Sequence, residues 1–254
     1  MPKIHHYDLE RIINNELKST EIRDYAPNGL QIEGKSAVSK MICGVTACQA
    51  LIDYAVTQHA DAILVHHGYF WKNEPLEIKG MKAKRIRTLM QNNINLYAYH
   101  LPLDVHPTLG NNAQLAKLLN ITDLEPLEET PFSIPIYGKL ETPLTGSALA
   151  QRLEQVLHRT PLYCGDNAPE RIKRVALCTG GGQDYIELAA ANDIDAFITG
   201  EVSERTIHIA REMGIHFFAA GHHATERFGV QALGKWLNTH YDLDVEYHEV
   251  NNPA

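Results

Sequence analysis

Lys40-Met41-Ile42-Cys43-Gly44-Val45-Thr46, then Ala50-Leu51-Ile52-Asp53-Tyr54-Ala55-Val56, then Ala60-Asp61-Ala62-Ile63-Leu64-Val65-His66: here an apolar run, a helical stretch and a second apolar run follow one another. The apolar runs are too short for helices and nearly unbroken. That is how a strand covered on both faces of a parallel sheet reads. Two such runs joined by a helix form a βαβ unit, so this stretch points to an α/β fold.

The same order recurs downstream. Arg174-Val175-Ala176-Leu177-Cys178-Thr179 reads as a strand, Tyr185-Ile186-Glu187-Leu188-Ala189-Ala190 as a helix, and Ile194-Asp195-Ala196-Phe197-Ile198-Thr199-Gly200 as a strand. Further along, the run 94–100 parallels 215–222, and the amphipathic stretch 114–120 parallels 232–238. Upstream, a helix near 8–18 leads to Leu30-Gln31-Ile32, and one near 145–158 leads to Leu162-Tyr163-Cys164. Six elements in one order argue against chance and for an internal duplication, with loop insertions shifting the offset. The expectation is two related α/β halves, 1–124 and 125–254, with a metal site in the cleft between them. Pro126, Pro131, Pro135 and Pro143 in the segment 124–145 argue against a regular helix or central strand there, which marks it as the linker.

Bulk properties agree with a globular protein. The 254 residues are 44% hydrophobic and 21% charged, enough for one large core or two smaller ones. No apolar run approaches the ~20 residues of a membrane span. The stretch Met1-Pro2-Lys3-Ile4-His5-His6-Tyr7-Asp8 lacks the blocks of a signal peptide, so a cytoplasmic location is expected. A net charge of −8 disfavours nucleic acid as a partner, although a basic inner surface would escape that objection. The basic stretch Lys79–Arg87 reads as a solvated helix face or, alternatively, as a local anion contact. Cys43, Cys48, Cys164 and Cys178 show no C-x-x-C spacing, so neither a disulfide framework nor a thiolate zinc site is indicated.

Histidine is the unusual residue: there are 14, with three His-His pairs. In parallel α/β sheets ligands bind beyond the carboxyl ends of the strands, and histidines stand there. His66-His67-Gly68 follows one apolar run; His100 and His222-His223 end two others, with Asp104 and Glu226 four residues after His100 and His222. His100 and His222 are 122 residues apart, as are Asp104 and Glu226, so each half presents His-x-x-x-carboxylate at a corresponding strand end. A lone histidine at a strand end is ordinarily capped or solvated. A repeated element beside adjacent histidines points instead to metal. Imidazole and carboxylate without thiolate suit Zn, Fe, Mn, Co or Ni, and five or six donors suit two divalent ions better than one.

Pro27-Asn28-Gly29-Leu30-Gln31-Ile32-Glu33-Gly34, His66-His67-Gly68-Tyr69-Phe70-Trp71, His100-Leu101-Pro102-Leu103-Asp104, Ile198-Thr199-Gly200-Glu201 and Gly221-His222-His223-Ala224-Thr225-Glu226 resemble the YbgI family, often labelled GTP cyclohydrolase 1 type 2 homolog. The resemblance spans essentially the whole chain. It implies a duplicated α/β fold, a dinuclear metal centre and a homohexameric ring. By motif position it implies His66, His67, Asp104, His222 and Glu226 as metal ligands. His100 and His223 stand beside these as candidate proton carriers, extra ligands or supports. Glu201 either faces the same site or is a helix N-terminal acid. Thr179-Gly180-Gly181-Gly182 reads as a tight turn in preference to a phosphate cradle. Tyr69, Phe70 and Trp71 offer either a stacking wall for a planar base or a subunit contact.

Two functions of different class lead, while a third, a nucleic-acid-processing ring, is disfavoured by the net charge of −8. One is a metal-dependent hydrolase of a nucleotide or a related heterocyclic or amide substrate. The other is a non-catalytic metal-binding ring that serves as a scaffold or binds a partner under stress.

Overall fold

The computed structural model describes residues 3–254; Met1 and Pro2, read above against a signal peptide, lie outside the described residues. The chain forms two units. One comprises the residues up to Leu109 together with Gly229–Asn251, the other Gly110–Phe228 together with Asn252–Ala254. In chain order the elements are β1 (Ile4–His5), α1 (His6–Leu17), β2 (Gly29–Ile32), β3 (Ala37–Val38), β4 (Lys40–Thr46), α2 (Gln49–Thr57), β5 (Ala62–His67), α3 (Gly80–Gln91), β6 (Asn95–Ala98) and α4 (Leu101–Val105). They continue as α5 (Asn111–Leu118), β7 (Ile121–Pro126), β8 (Ile136–Leu144), α6 (Gly146–Leu157), β9 (Leu162–Cys164), β10 (Ile172–Cys178) and α7 (Ile186–Ala191). The last are β11 (Ala196–Thr199), α8 (Glu204–Met213), β12 (His216–Ala219), α9 (His222–Thr225), α10 (Arg227–Tyr241) and β13 (Asp244–Tyr247).

In the first unit the sheet order is β13-β4-β5-β6-β2. The strands from β13 to β6 are parallel, and β2 closes the edge antiparallel to β6. Alternation of side chains along each strand divides the apolar residues between two cores. Met41, Cys43, Leu64 and Tyr97 face α1 (Leu9, Ile13, Leu17) and α10 (Val230, Leu233, Leu237). Ile42, Ile63, Val65 and Leu96 face α2 (Leu51, Ile52, Ala55) and α3 (Ile86, Leu89). Burial on both faces is why β4 and β5 read as continuous apolar runs. Cys43 acts here as a small hydrophobe, its thiol pushed up to about 12 by burial.

In the second unit the order is β7-β8-β10-β11-β12-β9, with β10, β11 and β12 parallel and β9 antiparallel to β12. Leu149, Leu153 and Leu157 of α6 recur every fourth residue, so they form one stripe over Val175, Leu177, Ile198 and Phe218. Thr145 starts α6 by accepting the Ala148 N–H at 3.2 Å. The opposite face packs Ala176, Phe197 and Phe217 under α7 and α8. In each unit an aspartate just before the second parallel strand accepts backbone N–H groups at the start of the first. Asp61 takes Ser39 and Lys40 at 3.0 and 3.1 Å, and Asp195 takes Lys173 and Arg174 at 2.8 and 2.7 Å.

Two expectations need correction. The units do not follow the division at residue 124. Leu115 and Ala116 of α5 are built into the second unit's core, whereas α10 and β13 complete the first unit's core and sheet. Each helix follows its apolar face, which sequence order does not constrain. The proline-bearing segment 124–145 is also no plain linker. β7 and β8 form an antiparallel pair joined to β10, which makes β8 an interior strand. Its Pro143 is tolerated because the register against β10 shifts between Ile172 and Arg174. The basic stretch 79–87 lies largely on α3, whose core side carries Ile86 and Leu89; Lys79, Lys84 and Arg87 are exposed, whereas Lys82 is largely covered and pairs with Glu74 at 3.2 Å. Among the described residues no helix is long and apolar enough to cross a membrane.

A fragment comprising residues 1–124 should therefore fail to unfold cooperatively in urea, because it lacks the α10 face that covers Leu9, Ile13 and Leu17. In the full chain, Leu233→Ala removes a fully buried side chain. It should cost about 2–5 kcal/mol in the same measurement. Cooperative unfolding of the fragment would refute this account of the unit.

Candidate metal centre

The first unit gathers its polar groups at the carboxyl ends of β5 and β6. His66 is fully buried at the end of β5. Its Nδ1–H donates to the Tyr99 carbonyl at 2.9 Å. Because a carbonyl only accepts, this bond places the proton on Nδ1 and leaves the lone pair on Nε2. Asp104, 5% exposed on α4, brings Oδ1 to 3.5 Å from that Nε2. His67 Nδ1 lies 3.3 Å from the Thr46 hydroxyl. One donor nitrogen from each of His66, His67 and His100 lies within 4.8 Å of the others.

The motif 27–34 is explained by what it holds in place. Gln31 accepts the Tyr69 N–H at 2.7 Å and donates to the Tyr69 and Pro27 carbonyls at 3.1 and 2.8 Å, pinning the turn after His67. Gly68 is required there, since a Cβ would fall 2.3 Å from Gln31 Oε1. Asn28 Oδ1 accepts the His100 N–H at 2.7 Å. Sequence reading missed Asp24, whose Oδ1 accepts from His100 Nδ1 at 2.7 Å. Burial raises the pKa of this carboxyl, but its bonds from His100, Asn28 and the Tyr25 N–H outweigh that and lower it overall. No local spacing announces a partner 76 residues away. Trp71 stands edge-on to His100 with centroids 4.9 Å apart. Tyr69 is core, its hydroxyl donating to the Ala47 carbonyl at 2.7 Å, so Phe70 is the exposed aromatic of the three.

In the second unit, Gly221, at φ +100°, turns the chain from β12 into the short helix α9. His222 opens α9 and Glu226 follows its last residue, so the four-residue spacing brings Nε2 and Oε2 to 3.1 Å. The other ring nitrogen, Nδ1, lies 2.7 Å from Glu201 Oε1. Glu201 therefore faces the site. It is not a helix N-terminal acid, because α8 begins only at Glu204. Burial works against charge on His222, but the hydrogen bonds and attraction of Glu226 and Glu201 outweigh it and raise the pKa to about 9. Gly180, at φ +67°, lets Glu226 approach: a Cβ there would stand 2.0 Å from Oε1. Its N–H donates to Thr225 Oγ1 at 3.0 Å, and the Gly200 N–H reaches its carbonyl at 2.8 Å. The triple glycine is thus a tight turn. His223 is buried, with its N–H on the Ala254 carbonyl at 3.3 Å.

The donor set fits a divalent transition metal. The first unit offers imidazoles, one with its lone pair set by a backbone carbonyl, and a buried carboxylate. The second offers an imidazole and a carboxylate in contact, with a further carboxylate behind the imidazole. Such outer partners orient metal-binding histidines and strengthen them as donors.

The chain matches the Duf34/NIF3 (NGG1p interacting factor 3) family over residues 4–253. A protein of Pasteurella multocida named GTP cyclohydrolase 1 type 2 homolog is 67% identical over 247 residues, 97% of this chain and 98% of that one. One of the same name from Haemophilus influenzae is 62% identical over the same shares. A solved structure described as "Structural genomics, protein ybgI, unknown function" superposes with a TM-score of 0.96 at 57% identity. It covers 99% of this chain and 100% of its own.

In metal-free protein, NMR titration should find the His222 ring protonated until about pH 9, and Glu201→Gln should bring its pKa down toward 6.5. With the folded pKa above the unfolded one, the stabilisation is complete below about pH 6.5 and is lost as pH rises through about 9. A His222 ring that titrates near 6.5 in the metal-free wild type would contradict the geometry.

Proposed function

The chain belongs to the Duf34/NIF3 family, and from that premise we propose that it is a dinuclear metal-binding protein acting as a hydrolase on a nucleotide or a related heterocyclic or amide substrate. The observation that carries this reading is His222, with a carboxylate 2.7 Å from one ring nitrogen and another 3.1 Å from the other. A carboxylate behind an imidazole is characteristic of a metal ligand. His66, His67, Asp104, His222 and Glu226 would hold two ions, since five donors exceed the four that a tetrahedral ion takes. We take the recurring element order as an internal duplication that sets this centre in the cleft between the halves. Zn, Fe, Mn, Co and Ni all suit the donors.

Bound ions would supply Lewis acidity and lower the pKa of water from about 15.7 toward 7. The chain's own residues do the rest. Tyr99 and Glu201 hold His66 and His222 in one orientation through their Nδ1–H groups. Trp71 provides an aromatic wall for a planar base. His100 and His223 are the candidates for carrying a proton to the leaving group. GTP is the first substrate to try because the relatives carry that name. We further propose a cytoplasmic homohexamer of closed symmetry, with the exposed Phe70 side of the chain in a subunit contact.

Three measurements test these proposals. Elemental analysis of untagged, reconstituted protein should give two equivalents of metal per chain; fewer than one would refute the centre. Hydrolysis by metal-loaded protein should fall roughly 10–100-fold or more in folded Asp104→Ala and Glu226→Ala variants. Equal rates in all three would favour the non-catalytic scaffold. Light scattering should show an oligomer, and a stable 28.5 kDa monomer at micromolar concentration would refute the ring.

A further inference from the structure

We infer that His100 is a sixth metal ligand, bound through Nε2, and that Asp24 is the positioning residue that makes it one. This rests on the metal-centre reading above and extends it to two residues outside the five expected ligands.

Asp24 engages one of the two ring nitrogens of His100. Nδ1 lies 2.7 Å from Asp24 Oδ1, and a carboxylate can only accept, so Nδ1 carries the proton. The lone pair is left on Nε2, on the other side of the ring. The ring lies 5.0 Å from His66 and 5.8 Å from His67, centroid to centroid, and one ring nitrogen from each of the three histidines lies within 4.8 Å of the others. Three imidazoles converging in this way form a ligand set for a divalent ion, as in catalytic zinc sites with three histidines.

Asp24 is built for a fixed role. Its side chain is 3% exposed. Besides the ring it accepts the Leu101 N–H at 2.8 Å, the Tyr25 N–H at 2.6 Å and the Asn28 amide at 2.8 Å. Asn28 in turn accepts the His100 N–H at 2.7 Å, so one loop holds both the backbone and the ring of His100. Trp71 stands edge-on at 83° and restricts rotation of that ring. The second unit uses the same device independently: Glu201 takes Nδ1 of His222, whose Nε2 is directed at Glu226. A carboxylate behind an imidazole fixes the tautomer and raises its basicity as a ligand, and loss of such a partner costs roughly 10–100-fold in metal affinity. His100 matches that description more closely than it matches a mobile proton carrier, which leaves His223 in the latter role.

Cobalt(II) titration of the metal-free full-length protein decides the matter, since ligand imidazole N–H protons give hyperfine-shifted resonances. His100→Ala should weaken one cobalt equivalent by roughly 10–100-fold and remove one exchangeable shifted resonance. Asp24→Ala should weaken the same equivalent, and Asp24→Asn, which keeps an acceptor oxygen, should restore part of the affinity. Thermal unfolding of the metal-free variants identifies any loss that comes from misfolding. Should Asp24→Ala not fold, Asp24→Asn and His100→Ala carry the test. If the wild type binds cobalt while His100→Ala keeps both equivalents at wild-type affinity and every shifted resonance, His100 is not a ligand and the inference falls while the centre stands. If the wild type takes up no cobalt, the centre itself falls.

Discussion

A fully buried imidazole at the end of an apolar strand is the constraint around which the first unit is arranged. Leaving a polar ring in such a place costs several kcal/mol unless its nitrogens are engaged. His66 donates Nδ1–H to the Tyr99 carbonyl, and its Nε2, an acceptor in this tautomer, stands 3.5 Å from Asp104 Oδ1. The carbonyl is available because β6 stops pairing at Ala98, so the next residues turn out of the sheet and into α4. α4 in turn carries Asp104 back toward the ring. The loop 24–34 closes the arrangement from the other side, through Asp24 and Asn28 on His100 and through Gln31 on the turn after His67. The stretch from Asp24 to Gln31 thus acts as a clamp on the histidines.

The second unit solves a related problem by different means. His222 is partly exposed, and two carboxylates rather than a carbonyl hold its ring. The cost is electrostatic, since a buried carboxylate beside a close-packed turn requires room and a counterpart. Gly180 provides the room by having no Cβ, and the imidazole provides the counterpart. The triple glycine therefore serves the approach of a side chain from a distant element. This also explains why it lacks the spacing of a phosphate loop. Both units place their chemistry where parallel strands end and backbone groups are no longer consumed by the ladder.

Local physics made much of this legible. Unbroken apolar runs revealed β4, β5, β10 and β11, because strands packed on both faces have no polar side to show. The four-residue spacing of His222 and Glu226 survived as a real contact, because one helical turn joins them. The matching spacing of His100 and Asp104 did not. His100 turns to Asp24, and Asp104 lies against His66, although the sequence pattern is the same. Spacing limits what a pair can do, and neighbours decide what it does.

The sequence by itself determined the alternation of strands and helices, the strand ends at which histidines collect, and the donor chemistry, since all three depend on periodicity and residue type within a few positions. Tertiary structure alone decided the rest. It sent α5 to the second unit and α10 to the first, because an apolar stripe binds whichever face leaves least surface in water. It turned the proline-bearing segment into a strand pair by shifting its register against β10. It also chose Asp24 for His100 across 76 residues and Glu201 for His222 across 21. A charged hydrogen bond depends on where folding brings two atoms, and separations of that length leave no periodic trace in the chain.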